Sequence, residues 1–75
     1  MNIEIDSIKK RMSEILMLPS EKLNNDSLLQ DLVSDSFILI DMVIDLQNTF
    51  KVRLDQEDLI PVKNVGDLCG LIQSK

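Results

Sequence analysis

The sequence predicts an all-α fold: a small bundle of three main helices and one short helix, with a long loop between the first and second. Two observations carry this. Apolar residues recur at helical spacing over three stretches, near Ile5–Leu16, Leu39–Phe50 and Val65–Ile72. Proline and turn chemistry separate them, at Pro19, at Asn24-Asn25-Asp26-Ser27 and at Pro61. The 75 residues are 44% hydrophobic and 28% charged, which suits one globular domain, residues 1–75, with a modest core. Two Phe and no Trp or Tyr make that core aliphatic.

The first helix is expected over Ile3–Met17, with Ile5, Ile8, Met12, Ile15 and Leu16 on its inner stripe and Asn2 as its cap. Lys9, Lys10 and Arg11 read as a solvated outer face, with Glu14 in helical reach of the last two. Leu18-Pro19 ends the helix, because proline removes a donor and restricts its predecessor. Ser20 to Ser34 follows as a long connection in which Ser20-Glu21-Lys22 can turn once. Leu23, Leu28, Leu29 and Leu32 pin it across the helix ends. A loop of that length in a small domain is often functional.

The central helix, Asp35 to Phe50, contains no Gly, Pro or basic residue. Asp35 is its N-cap, and Ser36 takes the first helical position, where free N–H groups and the helix dipole favour a negative group. At about 100° per residue, Leu39, Met42, Val43, Leu46 and Phe50 share one arc. Phe37, Ile40 and Ile44 share another, roughly opposite, with Asp41, Asp45 and Asn48 beside it. A chain this small cannot easily bury both. Burying each large apolar side chain contributes about 1.5–3 kcal/mol, against a total stability on the order of 4–11 kcal/mol for this length. Three such groups left outside mark a binding face; the ordinary alternative is a neighbouring segment folded over them.

Lys51-Val52-Arg53-Leu54 alternates, but nothing offers a strand partner, so it reads as a connector with Val52 and Leu54 inward. Asp55 caps a short helix to about Ile60, and Pro61 stops it. Asn64 caps the last helix, Val65 to about Gln73, whose inner face is Val65, Leu68, Leu71 and Ile72, with Cys69 as a small core residue. Gly70 inside that helix is unfavourable by about 1 kcal/mol against Ala; close packing there is the expected reason.

Charge is uneven. The net charge is −5. From Leu23 to Phe50 stand Asp26, Asp31, Asp35, Asp41 and Asp45 with no Lys or Arg, while the remainder balances. Such a surface repels nucleic acid and steers toward basic proteins; a face kept acidic for solubility is the plain alternative. The chain has no His, one Cys and two Gly. It therefore lacks the residues for a Ser-His-Asp or Cys-His centre, a thiolate metal site or a glycine-rich phosphate loop. Asp41 and Asp45, on an exposed helix face, have nothing to tune them for acid–base work. A non-enzyme without a metal site is expected, with no membrane span and no signal sequence, hence a cytoplasmic protein; a monomer is expected as well.

Leu32-Val33-Ser34-Asp35-Ser36-Phe37, followed by Asp41, Val43, Leu46 and Phe50, resembles the modification motif and second helix of acyl carrier proteins. The resemblance runs from Ile3 to Ile72. It implies that Ser36 carries 4′-phosphopantetheine, placed by a phosphopantetheinyl transferase with Asp35 helping to position magnesium. Acyl groups would ride on the arm as thioesters. Acyl-loading and acyl-transferring enzymes with basic docking surfaces would meet Phe37, Ile40, Asp41, Ile44 and Asp45. Val33 stands where the family usually has glycine, Phe37 where leucine is usual, and Gln47 and Asn48 where acidic residues are usual. The resemblance thus implies a freestanding carrier in fatty-acid synthesis or in a dedicated polyketide or lipid pathway. The alternatives are an aminoacyl, D-alanyl-type carrier loaded by an adenylating ligase, and an unmodified helical interaction module. A small enzyme is the third class, and no residues are arranged to activate a nucleophile.

Overall fold

The computed structural model describes residues 3–75. The chain runs through α1 (Ile5–Leu16), a 3-10 turn (Ser20–Lys22), α2 (Leu29–Leu32), α3 (Ser36–Phe50), α4 (Gln56–Leu59) and α5 (Val65–Ser74). Helix α1 packs against both α3 and α5. Among the described residues there is no strand beyond one isolated antiparallel bridge, Leu28 with Asn64.

Helix α1 begins at Ile5 with Glu4 at the cap position; the expected cap, Asn2, lies outside the described residues. Ile8 and Met12 are fully buried, whereas Ile5, at the open end of the stripe, is exposed. Met17 belongs to the stop, not the helix. It adopts the left-handed conformation (φ 57°), and the N–H groups of Met17 and Leu18 both reach Ser13 O.

The long connection is more ordered than a loop reading allows. It contains α2, one turn with no side-chain cap, too short for its leucines to show a period. Backbone bonds stitch it to the start of α5: Leu29 N to Lys63 O (3.0 Å), Val65 N to Ser27 O (2.9 Å) and Gly66 N to Asn25 O (2.9 Å). A Cβ at Gly66 would stand 3.1 Å from both Asn25 Cβ and Asn25 O, so a larger residue there would require Asn25 to give by a few tenths of an ångström. Leu23 and Leu29 anchor the segment in the core; Leu28 stays exposed.

Helix α3 contributes Met42, Val43 and Leu46 to the core, with Leu39 and Phe50 packed against it. It ends at Lys51 in the left-handed conformation, whose N–H bonds Gln47 O. Gln47 also accepts Leu54 N at its side chain (3.1 Å), which fixes the connector with Leu54 inward. Asp55 and Asp58 form a capping box on α4, and Lys75 Nζ lies 2.9 Å from Asp58, tying the end of α5 to α4. Asn64 caps α5 through Asp67 N (2.7 Å), and Val65, Leu68, Cys69 and Ile72 are buried. Gly70 does not serve close packing: it is exposed, and an added Cβ would meet nothing within 4 Å. The Cα radius of gyration is 11.1 Å, close to the roughly 11 Å expected of a packed chain this long. No helix among the described residues is long and apolar enough to cross a membrane.

Candidate functional site: the start of α3 and the groove beside it

Helix α3 starts where its cap dictates. Asp35 is extended, and its carboxylate accepts the Phe37 N–H at 2.9 Å. Asp35 O receives the N–H groups of Ile38 and Leu39. Ser36 is thereby held as the first helical residue, with its side chain exposed. No described residue takes its hydroxyl in a hydrogen bond. On the approach to Ser36, Val33 is buried and its N–H bonds Leu29 O, and Asp35 is held by the cap, so between them only Ser34 lacks such an anchor.

The second apolar stripe of α3 is uncovered. Phe37 is 73% exposed, Ile40 52% and Ile44 49%. Ile38, absent from the sequence-derived face, is exposed too. It escapes notice because it lies about 100° from Phe37, outside both apolar arcs. Asp41 is exposed and pairs with no cation among the described residues.

Asp45 has a cationic partner on another helix. Arg11 reaches across from α1 and holds it with two parallel bonds, Nε to Oδ1 and Nη2 to Oδ2, both 2.8 Å. The Thr49 hydroxyl donates to Oδ1 as well (2.9 Å). The bound guanidinium, aided by Thr49, holds the Asp45 carboxyl below the usual carboxylate range, and Asp45 in turn raises the Arg11 pKa. Asp45 is therefore not untuned, and Arg11 is no solvated bystander. The Leu23–Phe50 segment has no cation of its own; its neutralising charge arrives from 34 residues upstream, a distance that local spacing cannot span.

Between α3 and α4 runs an apolar groove of about 300 Å³. From α3 it takes Leu39, Ile40, Val43, Ile44 and Gln47; Leu54, Gln56, Leu59 and Val62 form the other bank, with Leu29 and Leu68. Those five α3 positions stand three, four, seven, eight and eleven residues after Ser36. They share its helical face. At about 1.5 Å rise per residue, Val43 lies ~10 Å and Gln47 ~16 Å along the axis from Ser36. The exposed serine and the α3 bank of the groove thus lie along one side of the helix. The sequence separated the two apolar arcs of α3 but not the groove, which exists only once α4 is placed. Among the described residues no group of three or more His, Cys, Asp or Glu is placed to hold a metal ion.

Residues 6–72 match the family model described as the phosphopantetheine attachment site. The chain is 33% identical to the acyl carrier protein of Thermotoga maritima over 69 residues, covering 91% of this chain and 85% of the relative. It is 33% identical to that of Buchnera aphidicola subsp. Schizaphis graminum over 75 residues, covering 99% and 94%. With the acyl carrier protein homolog of Mycoplasmopsis pulmonis the identity is 30% over 64 residues, covering 85% and 88%.

Proposed function

This chain belongs to the acyl carrier protein family, and on that premise we propose that it is a freestanding carrier modified at Ser36, with an apolar acyl group as its cargo. It is a carrier of 4′-phosphopantetheine, not a catalyst. The observation that supports Ser36 most directly is its position: an exposed hydroxyl at the capped start of α3, on the face that continues into the groove. Asp35 fixes the first turn, and the N-terminal N–H groups of α3 with the helix dipole favour the negative phosphodiester that Ser36 Oγ would carry. When bound, the group supplies a terminal thiol on which cargo is held as a thioester. The remaining work of this chain is to position and shelter. Leu39, Val43, Leu54 and Leu59 give an apolar wall, and the volume lies at the lower end of ligand clefts, about 300–1,000 Å³.

That wall supports an acyl cargo over an aminoacyl one, because a charged amine gains nothing from apolar surface and loses hydration there. Fatty-acid synthesis and a dedicated lipid or polyketide pathway both supply such groups. Single-domain, monomeric action in the cytoplasm is part of the same reading.

Intact mass tests it. The protein is incubated with coenzyme A, Mg²⁺ and a broad-specificity phosphopantetheinyl transferase. The wild type should gain one phosphopantetheine and Ser36→Ala none. No gain on the folded, unmodified wild type across several transferases overturns the proposal in favour of an unmodified interaction module. For cargo, octanoyl and alanyl forms are exposed to hydroxylamine. Relative to the same thioester on free pantetheine, the octanoyl form should be cleaved more slowly than the alanyl form, and equal relative rates would remove the groove from the account.

A further inference from the structure

We propose that Arg11 masks Asp45 from partner enzymes. Partners would then read a short acidic site, Asp35 before Ser36 and Asp41 between one and two turns after it, together with a neutral apolar surface made by Phe37, Ile40 and Ile44. The inference rests on the carrier reading above. Its occupant is a protein with a small basic patch close to its active-site entrance and apolar surface further out, rather than a long basic ridge.

Charge placement carries the argument. Asp35 and Asp41 are exposed and have no cationic partner among the described residues. Asp45, one turn beyond Asp41, has both carboxylate oxygens taken by the guanidinium, and a third bond from Thr49. Arg11 and Asp45 side chains are each only about one-third exposed, 36% and 32%. A bidentate pair of that kind presents little net field to an approaching protein. Arg11 also lies 3.8 Å from the more exposed Glu14 and screens it in part. Past Asp45 the solvent side of α3 offers Asn48, which is neutral. The apolar residues, by contrast, continue from Phe37 to Ile44, and Ile60, just after α4, is 75% exposed. Electrostatic attraction is thus concentrated at the serine end of α3, and the contact beyond it is apolar.

The test uses the same transferase reaction on the unmodified full chain, following kcat/KM and its salt dependence. Every variant is first checked for helical circular dichroism and a cooperative melt. Asp41→Asn should lower kcat/KM several-fold at low salt and flatten its decline with salt. Arg11→Gln, which keeps a hydrogen-bonding side chain but removes the charge, should raise kcat/KM by about threefold at low salt and steepen that decline, because it unmasks Asp45. The pair Arg11→Gln with Asp45→Asn should return to within about twofold of wild type, since the Asp45 charge is gone again and only the partial screening of the more distant Glu14 is lost. A lone loss of packing would not change the salt slope in opposite directions for Asp41 and Arg11. The proposal is overturned if Arg11→Gln leaves rate and salt slope unchanged, or if the double variant falls as far as Asp41→Asn. Absence of any modification of the wild type is a different failure: it removes the carrier reading itself, and this inference with it.

Discussion

Helices α3 and α5 are built from similar material and used in opposite ways. Both start on an Asx cap, Asp35 to Phe37 N and Asn64 to Asp67 N. Both are rich in Leu, Ile and Val. Yet four of the ten residues of α5 are buried, against three of the fifteen of α3. The apolar residues of α5 face one core. Those of α3 are divided among the core, a groove and open solvent. Apolar side chains that contribute no burial in the folded chain are where function is to be sought; those of α5 are there for stability.

The sharpest way to break this contrast is to truncate one side chain on each helix. Leu68→Ala in α5 should destabilise the protein by about 2–5 kcal/mol, a large share of the ~4–11 kcal/mol expected for the chain. Urea denaturation measures it, and a change under 1 kcal/mol would mean that the α5 core is loosely packed. Phe37→Ala in α3 should leave stability within about 0.5 kcal/mol while slowing transfer to partner enzymes several-fold. A variant that lost stability but not transfer would reverse the roles assigned to the two helices.

The caps give a comparison of middle size. Asn64→Ala and Asp35→Ala should each cost about 0.5–2 kcal/mol. Only Asp35→Ala should also reduce phosphopantetheinylation, so equal modification rates in the two variants would deny Asp35 any role beyond capping. Gly70→Ala should raise stability by about 0.5–1 kcal/mol, since the new methyl meets open space in a helical backbone. A lower melting temperature there would point to a contact of Gly70 outside the bundle.

Acid sharpens the picture from another side. Arg11, with Thr49, holds the Asp45 carboxyl below its ordinary value, and Lys75, with the Asp55 N–H, does so for Asp58. A carboxylate depressed by folding adds stability in full above its unfolded value, near 3.8, and that contribution fades as pH falls through the lower folded value. Stability should therefore be insensitive to these two groups from pH 7 to about 5 and fall below 4. Asp45→Asn should weaken that acid dependence, and an unchanged pH profile would deny the pair a folded-state role.

How much of this was legible in the sequence varies by element. Helices α1, α3 and α5, the Asp35 and Asn64 caps and the turn at Asp55 follow from spacing and cap chemistry, which are local. Ser36 at the first helical position and the exposed stripe of Phe37, Ile40 and Ile44 were legible for the same reason. Helix α2 was not, because four residues cannot display a 3.6-residue period. The Arg11–Asp45 pair was not, because it depends on how α1 crosses α3. Close packing is expected at Gly70, but the tight approach is at Gly66, against Asn25, and Gly70 is exposed with nothing near it. The groove is a property of two helices together, invisible along either one.

Cys69 carries a consequence for handling and for chemistry alike. It is the only cysteine of the chain, it is 1% exposed, and burial pushes its thiol pKa up, with Lys9 offsetting this only in part. At neutral pH it stays protonated and inaccessible, so it cannot capture a neighbouring thioester or close a disulfide with the arm. The protein is silent as a sulfur nucleophile while folded. Thiol reagents applied to the modified protein under native conditions will count arms and nothing else, and applied to the unmodified protein they will time its opening.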